Sequence, residues 1–83
     1  MYFRGEVIAV NSDTGEVFSF ESQREAARRL GVDAGHLNDV VKGRLNKTKG
    51  WWFCYANENA IEKTRKKFDD ETAYKVEELI NQK

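Results

Sequence analysis

Ser22-Gln-Arg-Glu-Ala-Ala-Arg-Arg-Leu-Gly-Val32, with the segment that runs on from Asp33 to Gly43, decides the fold of this chain. Ser22 and Glu25 form an S-x-x-E capping box, in which each side chain takes up a free backbone N–H of the first turn. Ala26, Ala27 and Leu30 give a helix over about 23–30 one apolar face. Gly31 stands where a helix C-terminus needs a left-handed residue. Leu37, Val40 and Val41 recur at i, i+3 and i+4, which predicts a second helix over about 34–42, capped by Asp33 and ended by Gly43. Two short helices joined so closely must cross rather than lie parallel. That is the helix-turn-helix geometry, which presents one helix to a DNA groove.

Outward from this pair the pattern changes period. Glu6-Val-Ile-Ala-Val10 and Glu16-Val-Phe-Ser-Phe20 read as strands, and Asn11-Ser-Asp-Thr-Gly15 between them is turn chemistry. Asp13 suits a tight reversal, and Gly15 is free to take positive φ. Phe18 and Phe20 share a face by the two-residue period, and Ile8 with Val10 is the expected inward pair of the first strand. After the helices comes a basic polar loop, Arg44 to Gly50. Trp51-Trp-Phe-Cys-Tyr55 is then a third, aromatic strand. Trp51, Phe53 and Tyr55 fall on one side of it and Trp52 and Cys54 on the other. Trp51 is expected in the core; Trp52 covers the sheet's other face or docks the C-terminal helix.

From about residue 57 the composition is helical. Asn57 or Asn59 caps a helix running through Phe68, and Asp69 or Asp70 caps another through about Asn81. Ala73, Val76 and Ile80, with Leu79 beside them, form a narrow apolar stripe on otherwise charged turns. Such a helix needs a surface to dock on. The predicted class is α+β: a small three-stranded antiparallel sheet with the helix-turn-helix inserted before the last strand (β-β-α-α-β), plus a C-terminal helix or helices. Residues 1–56 form the modular unit and 57–83 a charged helical extension that packs on it or on a partner.

Bulk properties limit what such a chain can be. Its 83 residues make one small domain with a marginal core. A 40 % hydrophobic and 34 % charged composition fits a folded protein rather than a disordered one. The single cysteine, Cys54, allows neither an internal disulfide nor a cysteine-based metal site. No apolar run approaches membrane-spanning length, and Met1-Tyr-Phe-Arg-Gly-Glu6 lacks the apolar core of a signal peptide; a cytoplasmic location is expected. Net charge is zero, but its distribution is uneven. From Arg24 to Lys49 there are seven basic residues and three acids; Asp69, Asp70, Glu71, Glu77 and Glu78 fall in the tail.

The order of these elements resembles a known family. Thr14-Gly15-Glu16 lies in the hairpin, Phe20-x-Ser22 leads into Glu25-Ala-Ala-Arg-Arg-Leu-Gly-Val32, and Val41-Lys-Gly43, a basic loop and Gly50-Trp-x-Phe-x-Tyr55 follow. Over roughly residues 6–56 this looks like the nuclease-associated modular domain of the first type, the intron-encoded nuclease repeat. The resemblance implies a small helix-turn-helix DNA-binding module of the kind that follows the catalytic domain of phage and intron homing endonucleases. The chain departs from that setting: the residues before 6 leave no room for a nuclease domain, and the tail after 56 is an addition. Gly35 is also unusual, since glycine inside a helix costs about 1 kcal/mol against alanine.

Within this frame the candidate DNA contacts follow from a helical wheel. With Leu37, Val40 and Val41 inward, Gly35, Asp39 and Lys42 point out, and His36 and Asn38 flank them. Asn38 is the best base reader, because an amide pairs bidentately with adenine. His36 is a donor for a base or a phosphate, and Ala34 and Gly35 permit close approach to a groove. Asp39 repels phosphate unless it accepts from a cytosine amine or pairs with a nearby arginine. Arg24 and Arg28 lie one turn apart on the outer face of the first helix, where it would cross the DNA backbone. Lys42, Arg44, Lys47 and Lys49, with no acid among them, make the strongest phosphate cluster.

Catalysis has little support. His36 is the only histidine, no Gly-rich phosphate loop is present, and neither metal nor cofactor is expected. The leading expectation is a non-enzymatic, sequence-targeting DNA-binding module of phage or mobile-element origin, acting in the cytoplasm of a bacterial host. Helix 34–42 would enter the major groove, and loop 42–49 would hold phosphates. The alternative is a protein-interaction or inhibitor protein that reuses the fold against a nucleic-acid enzyme, with the acidic C-terminal helix meeting a protein partner or a second copy. A third reading is single-strand or RNA binding by stacking on Trp52.

Overall fold

The computed structural model describes residues 5–57 and 59–81. The elements run β1 (Val7–Asn11), β2 (Val17–Phe20), α1 (Gln23–Leu30), α2 (Ala34–Val41), β3 (Trp51–Tyr55), α3 (Ala60–Lys67) and α4 (Asp70–Asn81). The sheet order is β2-β1-β3 with both pairs antiparallel, so the fold is the expected α+β, with α1 and α2 between β2 and β3. The reading of residues 1–6 as no signal peptide falls, over residues 1–4, outside the described residues.

Capping fixes the helix pair. The Ser22 hydroxyl accepts from the Glu25 N–H at 3.1 Å, the expected half of the box. The other half does not form. The Glu25 carboxylate reaches forward to Arg28 and Arg29 at 2.8 and 2.7 Å, because two guanidiniums outbid one backbone N–H. Gly31 takes φ 70°, and its N–H and that of Val32 turn back onto the Ala27 carbonyl. Asp33 caps α2 through the His36 N–H at 3.1 Å.

β1 is the central strand, so the expected inward pair Ile8 and Val10 is buried and Val7 and Ala9 are buried on the other face as well. Val7, Ile8, Ala9 and Val10 are all at most 1 % exposed. Cross-strand partners share a face. Val7 and Ala9 lie with Phe20, Tyr55, Phe18 and Phe53 on the face that α1 covers, where Gln23 Nε2 donates to the Tyr55 hydroxyl at 3.1 Å. Ile8 and Val10 lie with Cys54 and Trp52 on the opposite face. There the ring of Trp52 stands edge-on to Phe68 at 5.6 Å, and the buried Cys54 thiol lies near Thr64 of α3.

The apolar stripe of the tail is used within the chain. Ala73 and Val76 are 0 % exposed, Leu79 and Ile80 pack on the core, and α4 lies against β2 and α3. Asp69 is the residue that caps α4, accepting from the Thr72 N–H at 2.8 Å. Asn59 precedes α3 without a side-chain cap; its own N–H donates to Asn57 Oδ1 at 2.9 Å.

Trp52 covers the far face of the sheet as expected, but Trp51 is less buried than expected of a core residue. Trp52 is 9 % exposed, whereas Trp51 is half-buried and leans on Phe18, itself 43 % exposed, with ring centroids 5.9 Å apart. Trp51 opens an edge strand, next to a turn, and packs only partly against the core. In the first hairpin the organising side chain is Asn11. Its Oδ1 accepts from the N–H groups of Asp13 and Thr14, while Gly15 takes the expected positive φ of 79°.

Candidate nucleic-acid interface

α2 is rooted by Leu37 and Val40, 0 % and 2 % exposed, so its register on the sheet is set by two buried side chains. Ala34, Gly35 and His36 on its first turn are exposed, and Asn38 and Asp39 are half-buried on its flank. The Asp33 carboxyl is held below the usual carboxylate range, first by the His36 N–H and then by the Gly35 N–H. Gly35 has a local reason: a Cβ there would stand 3.0 Å from Asp33 Oδ1. The glycine leaves room for the capping carboxylate to fold over the first turn.

The loop after α2 is more ordered than a solvated polar run. Lys42 is the exposed C-cap, and Gly43 takes φ 85°. The Arg44 and Leu45 N–H groups return to the Asp39 carbonyl at 2.8 and 3.2 Å. The Arg44 guanidinium lies 3.4 Å from the Asp39 carboxylate, so the one acid on this face is turned toward an arginine. Thr48 and Trp51 exchange backbone hydrogen bonds at 2.9 Å around Lys49 and Gly50. Lys49 has φ 51° and Gly50 φ 82°, the two left-handed residues of a two-residue hairpin loop. Lys47 Nζ is 3.5 Å from the Ser12 hydroxyl, and the Ser12 N–H and hydroxyl both donate to the Gly50 carbonyl at 2.8 and 3.0 Å.

These contacts sort the basic residues expected from the sequence. Lys42, Arg44 and Lys47 are all exposed. Lys49 stands apart, since its ammonium donates to the Gly31 carbonyl at 3.1 Å and ties the loop to the helix-turn-helix corner. On α1, Arg28 is exposed but shares Glu25 with Arg29, and the Glu25 carboxyl is lowered chiefly by those two arginines. Arg24 is exposed and has no ion-pair partner among the described residues.

A second set of lysines went unnoticed in the sequence. Lys63, Lys66 and Lys67 recur at i, i+3 and i+4 on α3 and are exposed. They line a hollow of about 400 Å³ together with Lys42 and Gly43. The helical period that exposed the apolar stripes would have found this basic stripe as well.

Trp52 offers no stacking platform, being 9 % exposed beneath Phe68. Among the described residues no three His, Cys, Asp or Glu side chains gather as a metal ion would require, and no helix is long and apolar enough to cross a membrane.

No match is found among curated proteins or among solved structures. A family model does match, and its span begins in β1 and ends in β3, taking in all of the β-β-α-α-β unit but Val7 and Tyr55 at its two ends. Residues 8–54 match the DNA endonuclease I-HmuI-like, NUMOD-like domain, a DNA-binding module associated with homing endonucleases, and the chain belongs to that family.

Proposed function

We propose that this chain is a non-catalytic DNA-targeting module that inserts α2 into the major groove and holds the flanking phosphates with Lys42, Arg44 and Lys47. The observation that carries this reading is the construction of α2. Leu37 and Val40 anchor it, Ala34, Gly35 and His36 stand exposed on its first turn, and a cationic loop follows at once. Asn38 is the base reader of choice, and Asp39 is kept from repelling phosphate by Arg44. Arg24 and Arg28 on α1 complete the backbone contacts from the other side, and Lys49 shapes the loop. An origin in a phage or mobile element, and action in a bacterial cytoplasm, are part of the same proposal.

Salt titration against duplex DNA tests the reading. Removing two phosphate contacts lowers the log–log salt slope by about 1.8. Lys42→Ala with Arg44→Ala is therefore expected to bind more weakly and to lose roughly that much slope. An unchanged slope rejects the loop contacts. Selection from a random duplex pool is expected to return a preferred site, and Asn38→Ala to relax it at one position.

A second reading, an inhibitor that engages a nucleic-acid enzyme, draws on one observation. Tyr74 is 61 % exposed on α4 beside Glu77, Glu78 and Asn81. A chain that purifies with a protein, loses it on Tyr74→Ala with Glu78→Lys, and shifts no duplex would favour this reading over the first.

A further inference from the structure

We propose that α3 adds a second phosphate-binding surface, with Lys63, Lys66 and Lys67 continuing the loop cations onto the backbone of the bound duplex. The inference rests on the DNA-targeting reading above and extends it to residues beyond the 8–54 family match.

The hollow of about 400 Å³ touches Trp52, Phe53 and Cys54 in succession. Successive strand residues point to opposite faces, so a hollow that meets all three lies over the outer edge of β3. Lys42 rims it from the α2 side and the three α3 lysines from the other. A second hollow of about 240 Å³ lies next to it, lined by Lys47 and Asn46 on one side and Lys67 on the other, with Trp52 and Phe68 as its floor. Lys67 is a wall of both, so the two join into one cationic arc around Trp52.

Among the described residues, the acids of α3 and of the start of α4 nearest these lysines are engaged elsewhere. Glu62 and Asp70 both hold Arg65, and Asp69 caps α4. Lys42, Lys47, Lys63, Lys66 and Lys67 thus stand together with no ion-pair partner among the described residues. Like charges so close repel one another and weaken the fold unless an anion binds among them. The arc is continuous with the loop that follows the groove helix, which favours a DNA strand. An acidic peptide adding to the edge of β3 is the competing occupant, but lysines at an open edge oppose strand addition.

The test uses the full chain and a mixed-sequence DNA duplex. The triple variant Lys63→Gln/Lys66→Gln/Lys67→Gln changes exposed residues only, and its melting temperature checks the fold. Its log–log salt slope is expected to fall by about 2 to 3 relative to the parent, while the matching Lys→Arg triple keeps the slope. A parent that binds duplex and a Gln triple with an unchanged slope overturns this inference and leaves the α2 reading standing. A parent that binds no duplex removes both. Capture of a poly-glutamate peptide through the same lysines, without duplex binding, also overturns the proposal.

Discussion

Lys49 donates from Nζ to the carbonyl oxygen of Gly31 across 3.1 Å, joining a loop lysine to the C-terminus of the first helix. The two residues are 18 apart in sequence, and both hold left-handed backbone. A cation at this end of a helix also meets the negative pole of its dipole. Lys49→Ala is therefore expected to cost about 1 kcal/mol in thermal or denaturant unfolding, with little change in the salt slope of DNA binding. Lys49→Gly keeps the turn's backbone unstrained and should cost less than Lys49→Ala. A full unit of slope lost with no change in stability would return Lys49 to the phosphate contacts.

Gly35→Ala should gain less than the roughly 1 kcal/mol that a helix interior normally returns, because the new Cβ meets the Asp33 carboxylate at 3.0 Å. In an Asp33→Ala background that obstacle is gone, and the same substitution should recover the full gain. A double-mutant cycle by denaturant unfolding measures the coupling. Additive effects would dismiss the steric account of Gly35.

Acid stability should depend on the two capping aspartates. Backbone N–H groups lower Asp33 and Asp69 from an ordinary value of 3.8. Each folded-state value thus lies below the unfolded one. Their stabilisation is fully present above the ordinary value and is lost as pH falls through it and then through the lowered values. Asp33→Asn with Asp69→Asn keeps capping side chains that do not titrate. Its melting temperature should fall less steeply than the parent's at acid pH; parallel curves would count against the caps.

At alkaline pH the sign reverses and a different residue is responsible. Burial pushes the Cys54 thiol from 9.0 up to about 12. The unfolded chain then loses its proton first, so stability should decline above about pH 9, by no more than about 1.4 kcal/mol per pH unit. Cys54→Ser should flatten this decline. In the native protein at neutral pH the thiol should react with a disulfide reagent only at the rate of local opening.

Trp52→Ala removes the floor under α3. A loss of about 3–5 kcal/mol in unfolding free energy is expected, a large part of the stability of a domain this size. Amide exchange should show α3 losing protection before α1. Equal loss in both helices would mean that the two layers open as one.

Much of this was legible in the chain. Ser22, Gly31 and Asp33 act through backbone N–H groups a few residues away, so local spacing reveals them. Gly15 marks positive φ for the same reason, whereas the left-handed Gly43, Lys49 and Gly50 follow from the fold of the loop. What local pattern could not disclose depends on partners far along the chain. The burial of both faces of β1 follows from layers contributed by residues 23–41 and 60–81. The partial exposure of Trp51 depends on the exposed Phe18 beside it, and the role of Lys49 on Gly31. The α3 lysines were visible as a helical stripe but acquire meaning only once Lys42 and Lys47 stand opposite them.

Ile8 and Val10 on the central strand, with Trp52 and Cys54 beside them, make the far face of the sheet as apolar as the near one. The similarity to the family ends at residue 54, before the helices that cover that face begin. A shortened chain that stopped at residue 56 would keep every candidate groove contact on α2 and still carry a bare greasy wall. It would be prone to pair with itself or to precipitate. Portability as a fusion partner is therefore a property of the covered sheet, and whoever grafts this module must carry its last two helices along.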